Sequence, residues 1–164
     1  MLYRTLGLTL LVTLVAFAAV PAGGQDCSSG KPAIVSGAVP RALGKSPFWL
    51  TAESLPVKWT DPDNPVQLIW IIDGAAREPY YVSGKHRASG APVKFTKIGD
   101  RVGMRQTRWR LDPIGYKPAQ AKPQDLEKYN FDRTFAWFPS GGCYEFRGQA
   151  RNQETIILVQ VGVK

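Results

Sequence analysis

Apolar and polar residues alternate with a period of two along most of this chain, the pattern of strands whose two faces meet different surroundings. The clearest run is 66–73, Val-Gln-Leu-Ile-Trp-Ile-Ile-Asp. There Val66, Leu68, Trp70 and Ile72 share one face while Ile69 and Ile71 load the other, which predicts a central strand. Residues 106–112 alternate cleanly, with Trp109 and Leu111 inward and Arg108 and Arg110 outward. Near the end of the chain, 143–150 and 155–163 read as two strands joined by a hairpin connection at 151–154. In the second of them Ile157, Val159, Val161 and Val163 alternate with Ile156, Leu158 and Gln160. Shorter apolar runs at 33–39, 47–52, 79–83, 91–98 and 134–138 complete the set. Pro and Asx residues at 61–65 and Pro-Ser-Gly-Gly at 139–142 supply turns, and 84–90 reads as a polar loop.

Eight or nine short strands separated by turn residues predict an all-β fold, an antiparallel immunoglobulin-like β-sandwich. A closed barrel is the alternative. Two segments break the period. Residues 112–133 hold several prolines and lysines and few apolar side chains, which predicts a long surface excursion with a helical turn near 123–129. Loops of that length in a compact domain are functional or mobile. At the start of the chain, Arg4 precedes an uncharged apolar run from Leu6 to Val20, and small residues follow it. A basic start, a short apolar stretch and a small-residue zone predict a secretory signal peptide over 1–24, cleaved after Ala22 or Gly24. The stretch is short for a bilayer span. Residues 25–164 then form one domain, outside the cytoplasm: secreted, periplasmic or on the cell surface.

Export changes the meaning of the two cysteines. Cys27 and Cys143 are the only ones in the chain, and in an oxidising compartment they are expected to form a disulfide. Closing so long a loop removes roughly 4–5 kcal/mol of unfolded-chain entropy, an upper figure. An aspartate just before Cys27 fits a lipoprotein cleavage box poorly. The net charge of +8 favours anionic surfaces such as phospholipid headgroups, teichoic acids, lipopolysaccharide or acidic glycans. No nucleic-acid motif is visible, and contact with the membrane is expected through an uncleaved signal alone.

Catalytic chemistry is thinly provided. His86 is the single histidine, in the polar loop at 84–90, so a Ser-His-Asp or Cys-His site would have to use it. No Gly-x-Ser-x-Gly element supplies a nucleophile, and a copper site of two histidines and a cysteine is excluded by count. Asp61, Asp63 and Asn64 read as turn formers rather than calcium ligands. Asp125 and Glu127 read as solvated acids. No cofactor is expected. Two features are candidates for binding. Arg101, Arg105, Arg108 and Arg110, with Lys94 and Lys97 nearby, form a candidate anion-binding strip, or else a solvated sheet face. Tyr116, Tyr129 and Phe131 lie in the excursion as candidate exposed aromatics, or else as pins that hold it to the domain.

The segment Phe138-Pro-Ser-Gly-Gly-Cys-Tyr-Glu-Phe-Arg-Gly148, followed by Thr155-Ile-Ile-Leu-Val-Gln-Val161, resembles the last hairpin of a group of exported bacterial proteins, mostly uncharacterised. Their pattern is Phe-Pro-x-x-Gly-Cys-Trp-Glu-Val-x-Gly and then an apolar strand. Leu68-Ile-Trp70, Tyr81-Val-Ser-Gly84, Ala88-Ser-Gly-Ala-Pro92 and Ser46-Pro-Phe-Trp49 are similar to further elements of the group. Tyr144 replaces the usual Trp, and the excursion before Thr134 is a departure. The resemblance implies an immunoglobulin-like fold and export, and says nothing of activity. The expectation is a non-catalytic envelope protein that binds a partner or an anionic envelope component, or is structural. The rivals are a small cell-wall-directed hydrolase and a secreted inhibitor presenting its 112–132 loop.

Overall fold

The computed structural model describes residues 27, 41–75, 79–97, 104–112, 116–119 and 121–162. The expected leader at 1–24, the strand at 33–39 and Arg101 lie outside them. Nine strands are described, in two antiparallel sheets. The first is ordered β1 (Leu43–Lys45), β2 (Phe48–Ala52), β3 (Val66–Asp73), β7 (Tyr129–Trp137) and β5 (Lys94–Thr96). The second is ordered β6 (Arg108–Arg110), β4 (Tyr80–His86), β8 (Gly142–Ala150) and β9 (Gln153–Val161). One helix, α1 (Pro123–Lys128), stands where the helical turn is expected. Pro123 begins it, and the Asp125 carboxylate accepts from the Lys122 N–H at 3.1 Å.

The two sheets share one core. Leu68, Trp70 and Ile72 of β3 point into it, as the alternation predicts. Trp70 is fully buried, and its indole N–H donates to the Thr134 hydroxyl at 3.0 Å, so its polar atom is satisfied. Its ring stands edge-on to Phe146 of β8, 5.8 Å between centroids, and Phe48 of β2 meets Tyr80 of β4 at 6.2 Å. Both pairs join one sheet to the other. Gly148 lets them close: a Cβ there would lie 2.6 Å from the Phe48 ring.

A second apolar cluster lies on the outer face of the five-stranded sheet. Ile71, Tyr129 and Phe131 are buried there with Ala42, and Trp49, Ile69 and Tyr116 pack against them. This corrects two expectations. The excursion is shorter than 112–133, because β7 begins at Tyr129. Its aromatics are not displayed either: Tyr129 is 8% exposed, Phe131 1%, and Tyr116 is half-buried. Asp132 and Arg133 hide the first half of β7 in the sequence. Asp132 is buried yet tolerated because its carboxylate accepts from the backbone N–H of Asp112 at 2.9 Å and of Arg133 at 2.7 Å. The Arg133 guanidinium lies 4.8 Å from the centre of the Tyr116 ring and so clamps the excursion onto the sheet.

Cys27 and Cys143 form the expected disulfide, with their Cα atoms 5.5 Å apart. Cys143 is the second residue of β8, so the bond ties Cys27 to a central strand of the four-stranded sheet. Among the described residues no helix is long and apolar enough to cross a membrane.

Candidate functional site

The arginines follow the chain as it changes sheets. Phe95 of β5 exchanges backbone hydrogen bonds with Gln106 at 2.7 and 3.0 Å, which holds Arg105 at the edge of the five-stranded sheet. Two residues later the chain joins the other sheet, where Tyr81 and Ser83 of β4 pair with Arg110 and Arg108 of β6. The expected strip is therefore divided. Arg105 faces one side, Arg108 and Arg110 another, and Arg101 lies outside the described residues.

On β6 the alternation is fully realised. Trp109 is buried in the shared core and the two arginines stand out in solvent. The register lays neighbours beside them in rows across the sheet. One row runs Arg110, Tyr81, Gln149, Glu154, and the next Arg108, Ser83, Arg147, Ile156. A third places Lys85 beside Glu145 and Leu158. Arg108 lies over the Tyr81 ring at 4.3 Å and reaches Gln149 at 3.4 Å. Farther in, Glu145 accepts from Arg147 at 2.8 Å and meets Lys85 at 3.8 Å, while Arg147 also meets Glu154 at 3.0 Å. The hydrogen bond that Arg147 donates to Glu145 holds its guanidinium above its ordinary pKa. The interior cations of this face are thus balanced. Among the described residues Arg108 and Arg110 form no ion pair, so the positive potential gathers along the β6 edge.

Arg105 belongs to a small cleft of about 170 Å³ at the end of the five-stranded sheet. Its guanidinium lies 3.5 Å from the centre of the Trp137 ring, and Trp137 is fixed by an indole N–H donated to the Thr96 hydroxyl at 3.2 Å. Lys94 lines the same cleft. Lys97 is elsewhere engaged, 3.5 Å from Asp112.

His86 departs from its expected place in a solvated loop. It ends β4, half-buried, with its ring 5.0 Å from that of Tyr144. Gly142, at φ +140°, leaves room for that ring, which lies where a side chain there would project. Nδ1 of His86 accepts from the Ser89 N–H at 3.2 Å and contacts the Ser89 hydroxyl at 2.9 Å, a local turn contact. Asp61 is the turn former expected: its carboxylate accepts from the Asp63 N–H at 2.8 Å and the Asn64 amide at 3.0 Å. Among the described residues no group of three or more His, Cys, Asp and Glu side chains gathers in one place.

Tyr144 has a role that lies outside the sequence expectations. It opens the core side of β8, fully buried, and its hydroxyl donates back to the Ser140 carbonyl at 2.6 Å. That bond braces the Pro-Ser-Gly-Gly turn. The signal was available in a tyrosine placed directly after the turn and Cys143. A scan against protein-family models, a search of curated proteins and a search of solved structures each found no match.

Proposed function

We propose that this chain is an exported, non-catalytic immunoglobulin-like domain of the bacterial envelope that binds an anionic envelope component through the β6 edge of its four-stranded sheet. Strand neighbours support the sandwich reading. β2-β3-β7-β5 take the places of strands A, B, E and D, and β9-β8-β4-β6 those of G, F, C and C′. One departure is that the strand in the D place precedes the strand in the C′ place along the chain. The Tyr144–Ser140 bond, made at the start of the strand in the F place, resembles the tyrosine corner of such sandwiches, although Tyr144 follows Cys143 where the corner tyrosine stands two residues before a cysteine. The disulfide supports a non-cytoplasmic compartment, and the apolar run over 1–24 supports export. The excursion supports a covering role over a presented inhibitory loop, since Pro118 is buried and Tyr116 is clamped by Arg133.

The observation that carries the binding reading is the pair Arg108 and Arg110, turned outward by buried Trp109 and balanced by no carboxylate among the described residues. Retention on immobilised anionic polysaccharide or on anionic vesicles, at low and high salt, tests it. Retention at low salt that fades as salt rises is expected. The double variant Arg108→Gln, Arg110→Gln is expected to lose most of it. Equal elution of both proteins at low salt would overturn the assignment.

A further inference from the structure

Among the described residues Arg105 is a cation with no anion. Its guanidinium is stacked at 3.5 Å on Trp137, and no ion pair reaches it among the described residues. Its Nε is shielded from solvent and finds no acceptor there. A guanidinium held flat by an indole has lost its freedom to reorient, so its donors are fixed in one plane before anything binds. Lys94, exposed and without an ion pair among the described residues, lines the same hollow. Register explains the meeting, because Lys94 of β5 pairs with Trp137 of β7. Pro62, Pro92 and Pro139 wall the hollow, and Asp63 is the one carboxylate on its lining among the described residues.

We propose that this cleft takes one oxyanion-bearing unit of an envelope polymer. A carboxylate or phosphate sits against Arg105 and Lys94, and the apolar face of the unit lies along the prolines. Size limits the occupant. A hollow of about 170 Å³ is below the roughly 300–1,000 Å³ usual for whole drug-sized ligands, so it holds a single acidic unit. Asp63 disfavours a unit carrying a second negative charge on its far side. The proposal rests on the anion-binding reading above and gives it a second, pocketed contact made by different cations from those on β6.

The test is a titration of the ¹⁵N-labelled protein at low salt with glucuronate, with glycerol phosphate, and with glucose as the uncharged control. The Trp137 indole N–H and the Lys94 amide are expected to shift saturably with one or both acids and to stay still with glucose. Response to glucuronate alone assigns an acidic sugar, and response to glycerol phosphate alone assigns a polyol-phosphate unit. Either supports the site. Arg105→Gln is expected to weaken binding about tenfold or more, the effect of losing a hydrogen bond to a charged group. Lys94→Gln, at an exposed position where folding is not in question, is expected to weaken it several-fold. A still Trp137 signal with both acids, an equal response to glucose, or wild-type affinity in both variants would overturn the proposal. Should polysaccharide retention vanish with Arg108→Gln, Arg110→Gln while Trp137 never responds, the cleft falls and the β6 reading stands. Absence of both retention and titration sinks the two together.

Discussion

The two sheets turn the same side toward each other and opposite kinds of surface outward. Beyond the shared core, the five-stranded sheet carries Trp49, Ile69, Ile71, Tyr129 and Phe131, and the chain lays Ala42 and Tyr116 against them. The four-stranded sheet carries Arg108, Arg110, Lys85, Arg147, Glu145 and Glu154 in the same outward positions and keeps all but Glu145 open to solvent. Strand alternation alone would make both outer faces polar. The difference teaches that Ala42 and the excursion form a covering layer over one sheet, while among the described residues Arg108, Arg110 and Lys85 of the other stand exposed.

Truncation at matched outward positions breaks this contrast most directly. Phe131 is buried under the excursion, whereas Ile156 of β9 is 51% exposed on the open face. Phe131→Ala is expected to destabilise by about 3–5 kcal/mol, the range for a buried phenylalanine. Ile156→Ala should stay within about 0.5 kcal/mol, as surface changes do. Urea unfolding midpoints of the oxidised protein give both numbers, and similar losses at the two sites would show that the covering layer adds nothing.

A smaller effect is expected at the joint where the covering segment leaves the core. Asp132 of β7 accepts from Asp112, just beyond β6, so it links the two sheets there. Burial raises its pKa above the ordinary carboxylate value, against the pull of the Asp112 and Arg133 N–H groups. The sign follows. A raised folded value means that the fold favours the protonated acid, so its contribution is complete below the ordinary carboxylate pKa. That contribution is lost as pH rises through the raised value. Asp132→Asn removes the titration and keeps one acceptor oxygen. The stability of wild type relative to Asp132→Asn is therefore expected to fall as pH rises from the ordinary carboxylate range through the raised value. Denaturant midpoints across that range check it, and a difference growing in favour of wild type with pH would reverse the assignment.

What could be read in advance follows the same physical divide. β3, β8 and β9 were legible because long apolar alternation admits one strand register, and the outward set of Arg108 and Arg110 followed from Trp109 and Leu111. The disulfide followed from cysteine count and expected export. The start of β7 was not legible, since Asp132 becomes tolerable only through backbone donors that are distant or local by folding. Spacing along the chain groups Arg105 with Arg108, since it cannot reveal that the chain changes sheets at Gln106. Tyr129 and Phe131 looked like loop aromatics for a related reason: whether an outward aromatic is exposed depends on which distant segment covers it.

The smallest effect on stability, and the sharpest on binding, is expected on the open face itself. Glu145 holds Lys85 and Arg147 together from a side chain only 16% exposed, and Arg147 passes the chain of charge to Glu154. The cationic partners stay open to water, Lys85 at 52% and Arg147 at 42%, so these pairs are worth about 1 kcal/mol or less. Glu145→Gln should therefore move the unfolding midpoint little. It should also release the charge of Arg147 and Lys85 into the field beside Arg108, two rows of the sheet acting as one cationic surface. Retention on anionic polysaccharide is then expected to strengthen at low salt and to converge with wild type as salt rises, since added ions screen this field. A variant that kept its stability but bound more weakly would mean that the Glu145 network orders the contact rather than restraining it, and that the partner reads the face through geometry and not through net charge.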